Sequence, residues 1–211
     1  TWKYKISFRV FHKVKKKLTN RGLKMKKNIG VKTALYPMPV FIIGTYDENG
    51  TPDAMNAAWG GIADDNQINI CVSSSHKTVK NLLKTNAFTV HLADSKHVAE
   101  CDYLGLVSGN KESEKIKKCG FHTVKSSFVN APVIEELPFV LECKVISYDE
   151  KTSRLLGSIE NIAIEENCFT EDGKVDVKKL SPLTYDSFNH DYIELGNIVG
   201  KAFSDGKKFS N

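Results

Sequence analysis

The densest group of side chains able to do chemistry is Ser73-Ser-Ser-His-Lys-Thr-Val-Lys80. Ser73, Ser74, Ser75 and Thr78 offer hydroxyls, His76 an imidazole and Lys77 an ammonium. The stretch lies between an alternating, strand-like run and an amphipathic, helix-like one. These donors therefore meet a helix N-terminus, where free N–H groups and the helix dipole favour an anion. The residues leave two readings open: a phosphate cradle, or an ordinary Ser N-cap beside a solvated lysine. A second candidate is the run Asp53 to Gly61 (DAMNAAWGG), whose small residues let a flat ligand come close to the backbone. Familiar catalytic signatures are absent: there is no G-x-G-x-x-G, G-x-x-x-x-G-K-[ST], H-E-x-x-H or G-x-S-x-G. Neither a Rossmann nucleotide site nor a P-loop is expected. Cys119 and His122 form a lone C-x-x-H with no second ligand pair, so no metal site is expected. Asp64-Asp65 reads as a solvated turn.

The elements that must position these groups read mostly as strands. Pro39 to Tyr46 is an apolar β-rich run, and Asp47-Glu-Asn-Gly50 after it carries the strongest short hairpin signal. The sequon Asn49-Gly50-Thr51 overlaps that turn and reads as nothing more. Asp53 to Gly61 reads as the return strand. In Gln67 to Ser73, Ile68, Ile70 and Val72 point one way, and in Ala87 to Ala93 so do Phe88, Val90 and Leu92. Between these runs, Val79, Leu82 and Leu83 form a helical stripe within His76 to Asn86. A second helix is expected from Ser95 to about Leu104, then a loop with a short helix to Cys119. Phe139 to Tyr148 and Arg154 to Glu165 read as two long strands joined by a polar turn. The Phe and Ile stripes, Cys71 and Cys143 read as core, and Trp59 as pocket wall or interface. The sum is a mainly β fold with short helices (α+β), closed as an antiparallel barrel.

The 211 residues, 41% hydrophobic and 26% charged, have the balance of a soluble globular protein. No apolar stretch approaches the roughly 20 residues of a membrane helix. The net charge of +5 is deceptive: residues 1–27 hold 11 Lys or Arg and no acid, leaving 19 basic against 25 acidic groups elsewhere. The body offers no basic stripe for nucleic acid. Five widely spaced cysteines without a CxxC fit free thiols in a reducing, cytoplasmic compartment. The basic start has no apolar h-region. It reads as a segment for anionic surfaces, as a mobile tail or, the reading preferred here, as an extension upstream of a functional start near Met25. An Asn-Arg-Gly that a purine-rich ribosome-binding stretch would encode precedes Met25, and 27 Lys against 3 Arg points to an AT-rich genome. A native N-terminus at residue 1 or 2, found by mass spectrometry, would overturn that preference. The domain organisation expected is a basic extension, 1–27, followed by one domain, 28–211.

Several motifs occur in the order of a known family. Tyr36-Pro-Met-Pro-Val-Phe-Ile-Ile-Gly-Thr-Tyr46, Asn56-Ala-Ala-Trp-Gly-Gly61 and Ser73-Ser-Ser-His-Lys-Thr-Val-Lys-Asn-Leu82 resemble the flavin reductase-like family, above all its flavoredoxin-type members. Cys101-Asp-Tyr-Leu-Gly-Leu-Val-Ser-Gly109 with Lys115, Asn130 to Pro138, Leu141-Glu-Cys-Lys144 and Leu195 to Phe203 resemble it too. The resemblance implies an FMN-binding split β-barrel that works as a homodimer. It implies that the isoalloxazine lies against Asn56, Ala57, Ala58 and Trp59, and the phosphate on Ser73, Ser74, Ser75, His76, Lys77 and Thr78. Lys77 would supply charge, and Ser73, Ser75 and Thr78 hydrogen bonds. His91 departs from the Asn expected after its strand, and either donates to the flavin or fills the barrel. His190 and Tyr192 fall in a segment that lies near the ring or the dimer interface, or merely packs as a loop.

The implied activity is that of an NAD(P)H:flavin reductase or flavoredoxin-like enzyme, with hydride passing from NADH or NADPH to flavin N5. The flavin carries that chemistry, so no catalytic side chain is expected. The alternative is a non-enzymatic FMN electron carrier fed by a redox protein partner. A third reading is a barrel that has lost flavin, or one that binds nucleic acid through 1–27. No membrane partner is expected.

Overall fold

Alternating apolar residues drive most of this chain into strands, and the turn residues between them set the order. The structure, a computed structural model, describes residues 26–210. The chain divides into two units, Thr1–Thr33 and Ala34–Asn211. Residues 26–33 of the first are exposed and irregular. The rest of the basic segment, with the start inferred at Met25, lies outside the described residues.

The second unit opens with β1 (Phe41–Tyr46) and β2 (Pro52–Ala57). Gly50 in the turn between them has φ +79°, and the Asp47 carboxylate accepts the N–H groups of Asn49 and Thr51, each at 2.9 Å. Next come β3 (Gly60–Asp64), β4 (Gln67–Cys71), helix α1 (Lys77–Thr85), β5 (Ala87–Leu92), α2 (Val98–Leu106) and α3 (Lys115–Lys118). After these follow β6 (Thr123–Lys125), β7 (Pro132–Ile134), β8 (Phe139–Asp149), β9 (Arg154–Ile164), α4 (Val177–Leu180), β10 (Leu183–Asp186) and β11 (Asp191–Glu194).

Seven strands form one antiparallel sheet in the order β2-β1-β5-β8-β9-β4-β3. Its edge strands β2 and β3 are joined only by Ala58 and Trp59. The sheet must therefore curl until its edges lie side by side, which makes a barrel split at that seam. The single return strand expected over Asp53 to Gly61 is thus two strands, because the chain crosses the seam at 58–59. Gly60 is required just beyond: a Cβ there would lie 2.6 Å from the Asn69 carbonyl oxygen.

Phe41, Ile43, Ile68, Ile70, Phe88, Val90, Leu141 and Leu155 fill the barrel. A second cluster, including Val40, Ile42, Ala54, Leu104, Ile134 and Leu183, is built from β1, β2, α2, β7 and β10. Strand β5 is buried on both faces, so Thr89 and His91 are as covered as Phe88 and Val90. In α1, Val79 and Leu82 are buried but Leu83 is about half exposed, against the stripe read from sequence. Two buried polar bonds account for the roll of the helix: Asn81 Nδ2 to Thr45 Oγ1 at 3.1 Å, and the Thr78 hydroxyl to Asp53 at 3.3 Å. Among the described residues no helix is long and apolar enough to cross a membrane.

Candidate functional site

Strand β4 leads directly into the serine-rich stretch. The Cys71 N–H donates to the Trp59 carbonyl at 2.7 Å, so this strand end lies beside the β2–β3 seam. The chain then turns: His76 N–H donates to Ser73 C=O at 3.1 Å, and the Ser73 and Ser75 hydroxyls pair at 3.0 Å. Helix α1 begins at Lys77 with His76 as N-cap, no side-chain cap and no acid in its first turn. Its first helical bond, Lys80 N–H to His76 C=O, leaves the amides of Lys77, Thr78 and Val79 ahead of it. The ordinary serine cap therefore does not occur. Ser73, Ser75 and His76 are exposed, Ser74 partly so. Hydroxyls, imidazole and uncapped amides are together on one turn, an arrangement suited to a phosphate.

Two residues of this stretch are used differently from the sequence reading. Thr78 is buried and its hydroxyl donates inward to Asp53 Oδ2, so it does not add to the exposed donors. The Lys77 ammonium lies 3.4 Å from Asp47 Oδ2, with both side chains mostly covered, so part of its charge is shared with the β1–β2 turn. That bond and two backbone N–H groups hold the Asp47 carboxyl below the usual range despite the cost of its desolvation.

The small-residue run forms the floor of a cavity of about 320 Å³. Asn56, Ala57 and Ala58 line it from β2, Asp102, Gly105 and Leu106 from α2, and Tyr185, His190 and Tyr192 from the β10–β11 hairpin. Trp59 stands next to this floor, about half exposed. Helix α2 comes close because residue 105 is glycine: a Cβ there would lie 2.2 Å from Asn56 Oδ1. The Asn56 amide donates to Cys101 C=O at 3.3 Å, which fixes the floor to the helix. On the rim, Tyr192 OH donates to Asp102 Oδ1 at 2.7 Å, and Tyr185 OH lies 2.7 Å from His190 Nδ1. Burial and the Asp102 charge push the Tyr192 hydroxyl pKa upward, so it stays protonated. His190 sits at φ +62°, a conformation that costs a non-glycine residue energy and turns it to the cavity end of the hairpin.

Of the two roles the sequence leaves open to His91, the structure shows the filling one. It has no exposed surface; its Nε2 accepts the Ile134 N–H at 2.9 Å and its Nδ1 is 3.3 Å from the Ile42 carbonyl. Both ring nitrogens are thus engaged within the protein. Burial pushes its pKa down to about 4.

Sequence reasoning passed over Asp53, Asp102 and Tyr185, and did not see what Lys115 does. Asp53 and Lys115 are both almost fully buried, with Lys115 Nζ 3.6 Å from Asp53 Oδ1. Burial lowers the Lys115 pKa, and Asp53 opposes that shift. The pair of glycines in Cys101-Asp-Tyr-Leu-Gly-Leu-Val-Ser-Gly109 was the available signal: Gly105 admits Asn56 and Gly109 admits Asp53. Among the described residues no three His, Cys, Asp or Glu side chains gather as a metal group, and all five cysteines are free.

Comparison with known proteins places this architecture. The model of the flavin reductase like domain family matches residues 33–190. The solved flavoredoxin of Desulfovibrio vulgaris (Miyazaki F) is 33% identical, with a TM-score of 0.82 over 86% of this chain and 100% of that one. The flavoredoxin of Methanosarcina acetivorans is 30% identical, with a TM-score of 0.77 over 88% of this chain and 98% of that one. Nitrilotriacetate monooxygenase component B from Bacillus cereus, 17% identical, shares the fold with a TM-score of 0.69 over 85% of this chain and 99% of that one. No curated protein sequence matches the chain significantly.

Proposed function

We propose that this chain, which belongs to the flavin reductase-like family, holds FMN and works as an NAD(P)H-dependent oxidoreductase. The observation that carries the reading is the bond from Cys71 N–H to Trp59 C=O. It holds the end of β4, from which the chain runs on to the uncapped, donor-rich start of α1, at the seam next to the small-residue floor, which supports one ligand with an anionic end and a flat end reaching both. The residues fit FMN on that test: the cradle has hydrogen-bond donors and no acid in the first helical turn, and the floor is alanine backbone. When bound, FMN supplies hydride chemistry at its N5.

The protein's part is to bind, orient and exclude water. The amides at the start of α1 and the hydroxyls of Ser73 and Ser75 hold the phosphate. Lys77 adds charge in competition with Asp47. Asn56, Ala57 and Ala58 support the ring, and the cavity beyond them receives a nicotinamide in stacking range, where orientation provides much of the rate gain. Tyr185, His190 and Tyr192 offer hydrogen bonds at the cavity rim. The donor is NADH or NADPH.

A second reading, an FMN electron carrier fed by a redox protein, is favoured by the apolar rim: Leu106 and Trp59 stand exposed beside the floor, where a protein partner could dock. Steady-state NAD(P)H oxidation separates the two. A homodimer is supported by Ile198, Val199 and Phe203, which are almost fully exposed in the C-terminal segment. The five free cysteines support a reducing, cytoplasmic setting.

The test is the visible absorption spectrum of desalted protein after incubation with FMN. We expect a retained flavin spectrum near one FMN per chain. Colourless protein that takes up no flavin would overturn the proposal.

A further inference from the structure

We infer that Asp53 is a positioning residue that acts through Thr78, setting the phosphate end of the proposed FMN site at a defined place relative to its ring end. The inference rests on the FMN reading. Asp53 is 1% exposed, and a buried carboxylate is costly unless its contacts are used. Its Oδ2 accepts the hydroxyl of Thr78, in the first turn of α1, at 3.3 Å. Its Oδ1 has no hydrogen-bond partner and faces Lys115 Nζ at 3.6 Å.

Lys115 in turn is not free to move. Its ammonium donates to the carbonyls of Leu104 at 3.1 Å and Val107 at 2.9 Å, which end α2. On another side Gly109 packs so closely that a Cβ would lie 2.1 Å from Asp53 Oδ1. The carboxylate is thus held by its own strand, by the end of α2 and by Gly109, and it passes that fixed position to α1 through one hydroxyl.

Stability alone does not call for such a cluster, since well-packed apolar residues often replace a buried ion pair without loss. Its placement supplies the other reason. Three residues beyond Asp53 on β2 is Asn56, the start of the ring floor, and α2, which Lys115 terminates, is the opposite wall of the same cavity. One buried carboxylate therefore ties together the first turn of α1, the floor and the wall. This also assigns the Thr78 hydroxyl: it holds the helix start in place and leaves phosphate binding to the amides and to Ser73 and Ser75.

The test compares FMN with riboflavin, which lacks the phosphate, by fluorescence titration of the full chain. The variants are Thr78→Val, nearly isosteric, and Asp53→Leu combined with Lys115→Met, which removes acceptor and counter-charge together. Melting temperatures of the flavin-free proteins accompany each titration. We expect the Kd for FMN to rise about tenfold in Thr78→Val, the scale of one lost hydrogen bond with a charged partner, while riboflavin changes less than about twofold. The paired variant should lose the same FMN preference, and adding Thr78→Val to it should cost nothing further, because both act on one contact.

Loss of preference in Thr78→Val but not in the paired variant would mean the hydroxyl binds phosphate directly, and would overturn the inference. Lowered melting temperatures with the FMN preference intact would make the cluster merely structural, and would overturn it as well. Thr78→Val with unchanged preference does so alone, even if the paired variant fails to fold. Wild-type protein that binds neither flavin would remove the FMN reading itself, and is told apart from the other outcomes by the wild-type titration.

Discussion

Replacing His91 tests the assignment of this residue to the fold and not to the cofactor. Because Ile134 N–H donates to Nε2, that nitrogen carries no proton, and the ring proton sits on Nδ1 facing the Ile42 carbonyl. A charged ring would set a second N–H against the Ile134 amide in a site with no solvent. This agrees with a folded pKa pushed from 6.5 down to about 4. In the unfolded chain the imidazole titrates near its ordinary value, about 6.5. As the folded pKa is the lower, the unfolded state takes up the proton first on acidification. The stability contribution is full above pH 6.5 and is lost as the pH falls from 6.5 through about 4. At ~1.4 kcal/mol per pH unit, the loss between pH 6.5 and 5, before most carboxylates titrate, is about 2 kcal/mol. Urea unfolding of the flavin-free protein at half-unit pH intervals measures this slope. His91→Leu removes the titration and should flatten that limb by about 2 kcal/mol. It also leaves the Ile134 N–H buried without a partner, so at pH 7.5 it should be less stable than wild type by about 1–3 kcal/mol. His91→Gln, whose amide oxygen can accept that N–H, should recover part of that loss. FMN affinity of the folded variant should stay within about twofold of wild type. An unchanged acid limb in His91→Leu, or a tenfold loss of FMN affinity at full stability, would refute the assignment.

Three further outcomes follow from contacts in the same unit. Asp47→Asn frees the Lys77 ammonium now 3.4 Å from the carboxylate, so FMN should bind about three- to fivefold more tightly in a fluorescence titration at low salt, with the gain shrinking at 0.5 M salt. Gly157→Ala would place a Cβ 2.4 Å from Phe88 Cζ inside the barrel, and chemical denaturation should show a loss of about 1–3 kcal/mol. Tyr185→Phe deletes the hydroxyl 2.7 Å from His190 Nδ1; we expect FMN affinity to stay unchanged and the KM for NAD(P)H to rise severalfold in steady-state assays.

What was legible in the sequence was what depends on local pattern. The alternation through Ile68, Ile70 and Val72 located β4, and Asn49-Gly50 located the β1–β2 turn, because period and turn chemistry are properties of neighbouring residues. The donor-rich start of α1 was legible for the same reason. What was not legible depends on partners far along the chain. Thr78 looks like one more hydroxyl of the cradle until Asp53, 25 residues earlier, takes it inward. His91 looks like a candidate ligand until the 132–134 strand covers the outer face of β5 and uses its Nε2. Leu83 belongs to the apolar stripe by spacing, yet buried bonds from Thr78 and Asn81 decide which side of α1 faces inward. Tyr185 and Asp102 have no local signature, since each matters only where a helix and a hairpin far apart in sequence close one cavity.

The position of the candidate site follows from the strand order more than from any one residue. In the seven-stranded antiparallel sheet β2 and β3 are the two edges and are not paired with each other, and the link between them is only Ala58 and Trp59. The chain must run from one edge to the other, so backbone at the seam is left without a full ladder partner on either side. Small residues at 57 and 58 keep that backbone accessible, and the Trp59 carbonyl is satisfied by Cys71, the last residue of β4. That one bond brings the chain emerging from β4 to the seam, and the next element it forms is α1. The uncapped helix start therefore follows, by connectivity, from a strand end held at the seam. On the proposed FMN reading one ligand with an anionic and a flat end reaches both, and Asp53, on β2 just before the floor, would tie the two ends together.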